Sequence, residues 1–385
     1  VCSHRGARRA TPGGACLQQL RMEPVPEPRP VEFPAELGFG RCFTNRMFVQ
    51  RYSEDRGWHD PVIGPYRPLE LDPAAQVLHV GQDVFEGTKA YLRPDGRVNL
   101  FRIDRNMARL NRSAQRMGMP PVDAGALIDA IQRLVELEHA WIPRAPGCAL
   151  YIRPVIIGTE ATLEVRAAKR FLNFVILSPV GPYFGSGLRP VPVFISHEHV
   201  RAVRGGTGEA KTTANYAGSI FVSEQARARG YQHVLWLDAT ERRDVEEVGG
   251  MNIAVVYEGR HISTPALSGS ILPGVTRESM LQLAHDLGYT VSEDRIDVND
   301  MLADVERGRI TEAFAIGTGA VVAPVGKFGY RERELLVNGN RIGPVAQRLY
   351  DGLTDIQYGR VPDPYGWTRT FSVGEAARTR AAARA

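Results

Sequence analysis

The sequence predicts an α+β protein of two domains, and three observations lead to that prediction. The chain has 385 residues, which is long for a single domain of about 150 residues and suits two. Adjacent strands joined by a glycine-bearing turn, as in MNIAVVYEGRHISTPA, indicate antiparallel hairpins rather than a doubly wound parallel sheet. A stretch rich in glycine and proline over 183–190 marks the boundary between the two domains.

The ends of the chain differ in composition from its body. Residues 1–22 carry four arginines and no acidic residue, and a proline-rich stretch follows, which favours an extended, unpacked segment. We therefore divide the chain into five parts: a disordered or non-native tail (1–30), a small N-terminal α+β domain (31–182), an interdomain loop (183–190), a large C-terminal domain (191–370) and an arginine- and alanine-rich tail (371–385).

The elements of each domain follow from hydrophobic periodicity. In the first domain RCFTNRMFVQRY reads as a strand pair, NMARLNRSAQRMG and ALIDAIQRLVELEHAWI as amphipathic helices, and ALYIRPVIIGT and RFLNFVILSPV as buried strands. In the second domain six strands are predicted: VPVFIS, HVLWLDA, MNIAVVYEG, HISTPA, TVSEDRID and EAFAIGTGA. Three helices are predicted among them: NYAGSIFVSEQARARG, TRESMLQLAHDLG and GPVAQRLYDGLTDIQYG.

Composition excludes several classes of protein. Hydrophobic residues make up 43% and charged residues 23%, which excludes a wholly disordered chain. No apolar run is long enough for a membrane span. The terminal arginines account for the net charge of +4 and leave a slightly acidic body, which gives no reason to expect a nucleic-acid partner. Four scattered cysteines without a C-x-x-C pair indicate a reducing compartment, and we expect a cytoplasmic protein: Cys2, Cys16, Cys42 and Cys148.

The most unusual segment is GGTGEAKTTANYAGSI over 205–220, which contains one of only four lysines in the chain. One interpretation is a phosphate-binding P-loop, G-x-x-x-x-G-K-[ST], in which Ala210 replaces the second glycine. The other is that Lys211 forms an imine with a cofactor aldehyde. Lys89, in FEGTKAY, has no phosphate-binding pattern near it, so we assign it no function.

Residues that an imine-forming lysine requires occur downstream in a consistent order. Tyr216 is five residues beyond Lys211, and Glu247 precedes a Gly-Gly turn in EEVGGMN. Thr276 lies in ILPGVTRESM, a turn that opens a helix and so offers free N–H groups to an anion. Another hydroxyl, Thr318, lies in AIGTGAVVAPV. Their joint occurrence favours the imine interpretation over the P-loop.

A metal site is the weaker alternative. His197 and His199 form an H-x-H pattern, which on a strand places both imidazoles on one face. No third ligand stands at a useful spacing, so we interpret the pair as surface histidines and expect no metal.

With these motifs the sequence resembles the fold-type IV aminotransferases that use pyridoxal 5'-phosphate (PLP), and specifically the branched-chain amino acid aminotransferases. The resemblance runs from about residue 37 to 368 and rests on motifs such as FGRCFTNRM, DVFEGTKAY, LYIRPVIIGTEATLEV, GGTGEAKTTANY, EEVGGMN and SGSILPGVTR. It implies a two-domain architecture with the cofactor at the domain interface. It also implies transfer of amino groups between hydrophobic L-amino acids and 2-oxoglutarate.

The resemblance assigns a function to each cofactor residue. Lys211 matches the lysine that links to PLP and carries the proton, Tyr216 the tyrosine on the ring oxygen, and Glu247 the acid that faces the pyridine nitrogen. Arg109 matches the phosphate-binding arginine. The remaining matches are Leu272, which packs on the ring, Val275 and Thr276 at the helix start, and Thr318 as a further phosphate contact.

On the substrate side the resemblance matches Tyr151 and Arg153 to a pair that handles carboxylates, with Arg153 receiving the glutamate side chain. It assigns Phe39, Phe85 and Tyr183 to the apolar walls. Val165 matches a residue donated by a neighbouring subunit, so a homodimer is implied.

Three departures border the substrate rather than the cofactor. Val80 stands where the family has tyrosine, Thr213-Ala214 where it has Gly-Gly, and Gly319 where it has alanine. The identity of the amino acid is therefore open, and the alternative is an aminotransferase of the same fold that serves a specialised pathway with a non-standard substrate. A regulatory module that binds PLP without turnover would be expected to lack Lys211 or Glu247, and both are present.

Overall fold

The computed structural model describes residues 19–185 and 187–374. The expectations for residues 1–18 and 375–385 fall outside the described residues. In chain order the strands are β1 (Arg21–Met22), β2 (Arg46–Ser53), β3 (Gly57–Pro65), β4 (Asp83–Phe85), β5 (Thr88–Leu92), β6 (Val98–Phe101), β7 (Ala149–Gly158), β8 (Arg170–Val180), β9 (Val191–Ile195), β10 (His233–Leu237), β11 (Val245–Val248), β12 (Met251–Tyr257), β13 (His261–Pro265), β14 (Thr290–Asp294), β15 (Ile310–Gly317), β16 (Val321–Tyr330), β17 (Arg333–Leu336) and β18 (Thr368–Phe371).

The α-helices of the described ranges are α1 (Ile103–Arg116), α2 (Ala124–Leu137), α3 (Ala214–Ala217), α4 (Ile220–Ala228), α5 (Val275–Asp286), α6 (Val298–Glu306) and α7 (Pro344–Gln357). Two of them have acidic N-caps. The Asp123 side chain accepts a hydrogen bond from Ala126 N at the start of α2, and Asp297 accepts from Asn299 N and Asp300 N at the start of α6. These caps satisfy backbone donors that would otherwise lack a partner.

The first domain is one sheet with helices on one face. The strands lie in the order β1-β3-β2-β8-β7-β5-β6-β18, and β4 pairs with β7 beyond the end of β5. Helices α1 and α2 supply apolar side chains to the core on this face, together with alternate residues of the strands. Fully buried members of that core include Phe48, Val84, Leu100, Met107 and Leu134.

The second domain is built around a closed ring of strands. Its sheet has the order β11-β10-β9-β16-β15-β12-β13-β14, and because β11 also pairs with β12, six of these strands form a ring. Alternate residues from these strands share one core. Residues from its different strands include Val193, Leu235, Ile253, Ala315 and Val325.

A third apolar core joins the two domains. It combines side chains of the first sheet, such as Tyr91 and Val180, with Phe314 on β15 and Leu349 on α7. The connection after β8 carries the chain into the second domain, where β9 begins at Val191. The domains are therefore packed against each other, and the site described below lies where they meet.

The fold class predicted from the sequence is confirmed, since both domains mix helices with mostly antiparallel strands and β12 and β13 form the expected hairpin. Three details are wrong. The segment RCFTNRMFVQRY contributes one strand, β2, whose hairpin partner is β3. The helix predicted as NYAGSIFVSEQARARG is divided into α3 and α4. Strand β18 pairs with β6 of the first sheet, so the chain returns to the first domain before residue 370.

The tail prediction is also wrong for residues 19–30. Strand β1 pairs in parallel with β3, Glu23 N donates to Ile63 O at 2.9 Å, and the Arg29 side chain donates to Phe43 O at 2.9 Å. This segment is held to the first sheet by backbone pairing, which the proline content did not reveal. No helix in residues 19–185 or 187–374 has the length and apolarity required to cross a bilayer.

Candidate active site

Lys211 lies in an irregular segment between β9 and α3 that is fixed by its own hydrogen bonds. Thr207 Oγ1 donates to Asn215 Oδ1, and Asn215 Nδ2 donates to Thr207 O and Ala210 O, each at 2.8 Å. Gly208 is required because a Cβ there would stand 2.2 Å from Ser270 O. The segment is thus a rigid support rather than a solvent loop.

The side chain of Lys211 meets two aromatic residues. Its Nζ donates to Tyr216 Oη at 2.8 Å and lies 5.0 Å from the ring centre of Phe85 and 5.3 Å from that of Tyr216. The rings of Phe85 and Tyr216 are themselves 5.0 Å apart. This arrangement holds an ammonium group over aromatic faces, which attract a cation, and it brings Lys211 and Tyr216 together as one unit.

The backbone of Lys211 is bonded to the first domain. Lys211 N donates to Ser113 Oγ on α1, and Phe85 N on β4 donates to Lys211 O, each at 2.9 Å. The lysine therefore belongs to the second domain in sequence but takes its position from the first.

Glu247 is buried beside the Lys211 segment. Its Oε1 accepts from Leu272 N at 2.8 Å, and its Oε2 lies 2.8 Å from Nε of the buried Arg201. Burial raises the pKa of Glu247 above its ordinary value, against the opposite effects of Arg201, the Leu272 N–H and the charge of Lys211. Glu247 is thus a buried acid within electrostatic reach of Lys211.

A turn ending at Gly274 precedes α5. Gly274 provides no side-chain cap, so the first N–H groups of the helix lack a side-chain acceptor. A Cβ on Gly274 would stand 2.0 Å from Asn252 Oδ1, and Asn252 Nδ2 donates to Leu272 O at 3.0 Å. Val275 and Thr276, both buried, occupy the first two helical positions.

Arg109 is tied to this turn and to a buried acid. Its Nη1 donates to Pro273 O at 3.0 Å, while Nε and Nη2 donate to Glu86 at 2.7 and 3.0 Å. Burial opposes ionisation of Glu86, but Arg109, the Asn106 hydrogen bond and the Lys211 charge lower the pKa of Glu86 overall. The Arg109 guanidinium therefore projects from α1 and is fixed against the turn that precedes α5.

The residues expected to contact substrate carboxylates form a second group. Arg153 Nη2 donates to Tyr151 Oη at 3.2 Å, and the guanidinium carbon lies 4.8 Å from the ring centre of Phe85 and 5.2 Å from that of Tyr151. Arg153 Nε is buried, and none of the described residues accepts a hydrogen bond from it. Phe39 packs edge-on against Tyr151 with ring centres 4.7 Å apart. The Arg153 guanidinium thus lies against the Phe85 and Tyr151 rings.

The turn between β15 and β16 lies against Tyr183. It contains Thr318 and Gly319, and a Cβ on Gly319 would meet the Tyr183 ring at 3.7 Å. Tyr183 Oη lies 3.1 Å from His233 Nε2. Burial lowers the pKa of His233 to about 4, so this imidazole is neutral at pH 7.

Two expected substrate residues lie apart from this cluster. Val165 is 88% exposed on the loop before β8, and Leu163 beside it is 71% exposed. Val80 is more than one-third exposed on the turn that leads into β4. Both valines are therefore on the surface of the described chain.

The sequence interpretation missed residues that hold the cluster together. Glu86 directly follows Phe85, and its position in the FEG motif was the available signal. Asp83 accepts hydrogen bonds from Thr212 and Thr213. Lys89, which received no function, is buried and donates from Nζ to Gly319 O at 2.8 Å.

Residues 83–328 match the family model described as amino-transferase class IV. The chain belongs to this family. Branched-chain-amino-acid transaminase 1 of Bacillus subtilis (strain 168) is 50% identical over 336 residues, which are 87% of this chain and 94% of that protein. The branched-chain aminotransferase of the thermophilic archaeon Thermoproteus uzoniensis, solved with norvaline, has a TM-score of 0.66 at 26% identity, covering 84% of this chain and 99% of that one. A branched-chain amino acid aminotransferase from T.th., solved with pyridoxamine 5'-phosphate, has a TM-score of 0.68 at 27% identity, covering 84% of this chain and 97% of that one.

The resemblance to fold-type IV branched-chain aminotransferases is therefore confirmed at the level of family and fold. The P-loop interpretation is wrong. A P-loop joins a strand directly to a helix, whereas α3 has four residues and β9 ends well before Gly205 in this class IV aminotransferase. In the described ranges no group of three or more His, Cys, Asp or Glu residues is arranged to hold a metal ion.

Lys89 predicts a pH dependence of stability in this aminotransferase. Burial lowers the pKa of Lys89 from the ordinary 10.5 to about 8, so folding carries the full penalty of a buried ammonium below pH 8. That penalty is relieved as the pH rises from 8 to 10.5, because only the unfolded chain then keeps the proton. Relative to Lys89→Met, the parent should gain about 3 kcal/mol across that interval.

Urea unfolding of both proteins between pH 7.5 and 10 measures this difference. Lys327→Met, which removes an ammonium paired with Glu334 on the surface, controls for the loss of one positive charge. A stability difference between the parent and Lys89→Met that stays constant over the interval contradicts the prediction.

Proposed function

We propose that this class IV aminotransferase transfers the amino group of branched-chain L-amino acids to 2-oxoglutarate, with PLP held between its two domains. The observation that carries the proposal is the Lys211 ammonium, which donates to Tyr216 Oη at 2.8 Å. Two buried carboxyl groups, Glu86 and Glu247, lie within its electrostatic reach. The curated relative at 50% identity is named for branched-chain substrates, which supports the same class here.

The residues present fit PLP. The uncapped start of α5 and the buried guanidinium of Arg109 suit a phosphate, and Val275, Thr276 and Thr318 would complete that end. Glu247 would face the pyridine nitrogen and Tyr216 the ring oxygen, with Leu272 packed on the ring. Bound PLP supplies an aldehyde for the amino group and a ring that accepts the electrons left when the α-proton departs.

Lys211 is the group that moves the proton. Its backbone is fixed by Ser113 and Phe85, so Nζ moves on the flexible four-carbon side chain alone. In the neutral form Nζ would take the proton from the substrate α-carbon as a general base and, as a general acid, would deliver it to the carbon on the other side of the nitrogen. The Tyr216 hydroxyl accepts a hydrogen bond from Nζ and so orients it between these two positions.

Substrate selection follows from the aromatic wall and Arg153. Phe39, Phe85 and Tyr183 would surround an apolar side chain, whereas the unused donor on Arg153 would bind the distal carboxylate of glutamate or 2-oxoglutarate. One pocket can then accept both substrates in turn. Gly319, which lacks the usual methyl group beside Tyr183, and Val80 favour a specialised substrate as the second candidate.

A homodimer and a cytoplasmic location complete the proposal. Leu163 and Val165 are highly exposed on one loop, and large apolar side chains exposed together suit an interface. The two described cysteines, Cys42 and Cys148, are free thiols, which agrees with a reducing compartment.

Removing Lys211 should abolish the reaction. We expect purified parent protein to show the absorbance of bound PLP and a change in it when leucine is added. Lys211→Ala should lose the leucine-induced change and lower kcat by at least about 10²–10⁴-fold, because both proton transfers lose their carrier. Lys327→Ala, on the surface, should retain the parent rate. Turnover by Lys211→Ala at the parent rate would end the assignment.

Replacing Arg153 should separate the two substrates. In Arg153→Leu the loss of a charge-assisted hydrogen bond should lower kcat/KM for glutamate by about 10–100-fold, while kcat/KM for leucine changes little. Steady-state kinetics with leucine, isoleucine, valine, aromatic and β-substituted amino acids also test the second candidate. Equal losses for leucine and glutamate would refute the assignment of Arg153, and a preference of the parent for β-substituted amino acids would favour the specialised pathway.

Val165 should matter to assembly and to the partner's site. Val165→Glu places a charge in the proposed interface and should weaken the dimer in sedimentation velocity, whereas the same change at Val361, 41% exposed, should not. Mixing Val165→Glu with Lys211→Ala subunits should restore part of the activity, because one site of each hybrid then has both residues intact. A monomeric parent, or no recovery in hybrids that do assemble, would contradict this prediction.

A further inference from the structure

Asp83 bonds to the two residues that follow Lys211. It lies at the start of β4 in the first domain and is 5% exposed. Its Oδ1 accepts from Thr212 Oγ1 at 2.9 Å and from Thr213 N at 3.0 Å, and its Oδ2 accepts from Thr213 Oγ1 at 2.5 Å. We call these three hydrogen bonds, between Asp83 and Thr212 and Thr213, the Asp83 clasp.

The clasp extends the attachment of Lys211 itself to the first domain. Lys211 N is bonded to Ser113 and Lys211 O to Phe85, so three consecutive residues of the second domain are held by the first. Asp83 and Phe85 are two positions apart on β4 and therefore project to the same side of the strand. The strand that forms a substrate wall also fixes the lysine backbone.

One hydrogen bond of the clasp comes from the Thr213 hydroxyl. The resemblance implies glycine at this position, and glycine has no side chain to form that bond. Thr213 is exposed, whereas Thr212 is fully buried, so core packing does not account for the hydroxyl at position 213. Hydrogen bonds that a carboxylate accepts are stronger than those between neutral groups.

We propose that Asp83 is a positioning residue for Lys211, holding the lysine backbone against the first domain so that only the side chain moves during proton transfer. This proposal rests on the proposed function. A displacement of about 1 Å at a reacting group can lower the rate by about 10²-fold. We expect the clasp to act on kcat rather than on substrate affinity, since its three hydrogen bonds hold the two residues that directly follow Lys211.

The test compares variants that remove the clasp with a control of equal burial. Asp83→Ala removes all three hydrogen bonds. Thr213→Val removes only the bond from Thr213 Oγ1. Because Thr213 is exposed, this variant can still test the proposal if Asp83→Ala fails to fold. Asp83→Asn and Thr213→Ser are the conservative variants. Glu312→Ala is the control, because Glu312 is 4% exposed and accepts from Val345 N and Ala346 N at the start of α7.

Two measurements are made on each protein. Amide hydrogen exchange of peptides spanning 209–216 is recorded on the PLP-free chain, and kcat and KM for leucine are recorded with PLP and 2-oxoglutarate. We expect faster exchange and a kcat lower by about 10–100-fold in Asp83→Ala with little change in KM. We expect a smaller change of the same kind in Thr213→Val, and near-parent values in Asp83→Asn and Thr213→Ser. Glu312→Ala should lower thermal stability while leaving the exchange of 209–216 and kcat as in the parent.

Parent-like exchange and kcat in both Asp83→Ala and Thr213→Val would overturn the proposal. So would a fall in kcat that Glu312→Ala reproduces, since the effect would then be one of general stability. Failure of the proposed function is distinguishable, because it shows in the parent as absence of PLP uptake or of transamination. The exchange data on the PLP-free chain still decide in that case whether Asp83 holds the segment.

Discussion

The structure depends on the hydrogen bonds by which the first domain holds the peptide segment of Lys211. Ser113 on α1 and Phe85 on β4 satisfy the N–H and C=O groups of the lysine itself. Backbone groups in a buried irregular segment need such partners, because no regular ladder supplies them. The same two elements position other charged groups of the site, since α1 also carries Arg109 and Glu86 directly follows β4. The same few elements thus position Lys211, the Arg109 guanidinium and the Phe85 ring.

The charges of the site are arranged in buried pairs around Lys211. Glu86 with Arg109 and Glu247 with Arg201 each place an acid against a guanidinium away from water. Such pairs are costly to desolvate and contribute little net stability, so stability does not account for two of them at one place. They do provide fixed charges that need no rearrangement when charge develops in a reaction. Arg153 differs, because its buried Nε has neither an ion-pair nor a hydrogen-bond partner among the described residues.

The sequence predicted the chemical residues better than the residues that hold them. Lys211 and Tyr216 could be paired because they are five positions apart, and Gly274 could be placed because a turn before a helix has a local pattern. Lys89 and Gly319 are bonded across 230 positions, and the sequence contains no local signal of such a contact. The same applies to Asp83 and to β18, which joins the first sheet from the far end of the chain. Hydrophobic periodicity indicated nine of the eighteen described strands and missed the others, among them β3, β4, β5, β6 and β16. Pairing order depends on tertiary packing, which periodicity does not specify.

Steric room differs among three glycines near Lys211 and Tyr151. A Cβ at Gly274 would overlap Asn252, and one at Gly87 would overlap the Tyr151 hydroxyl, so neither position tolerates a side chain. At Gly319 a Cβ would make ordinary contact with Tyr183, so that position can gain a methyl group without strain. The departure at Gly319 from the pattern that the resemblance implies therefore falls where the packing permits variation, whereas close packing fixes Gly274 and Gly87.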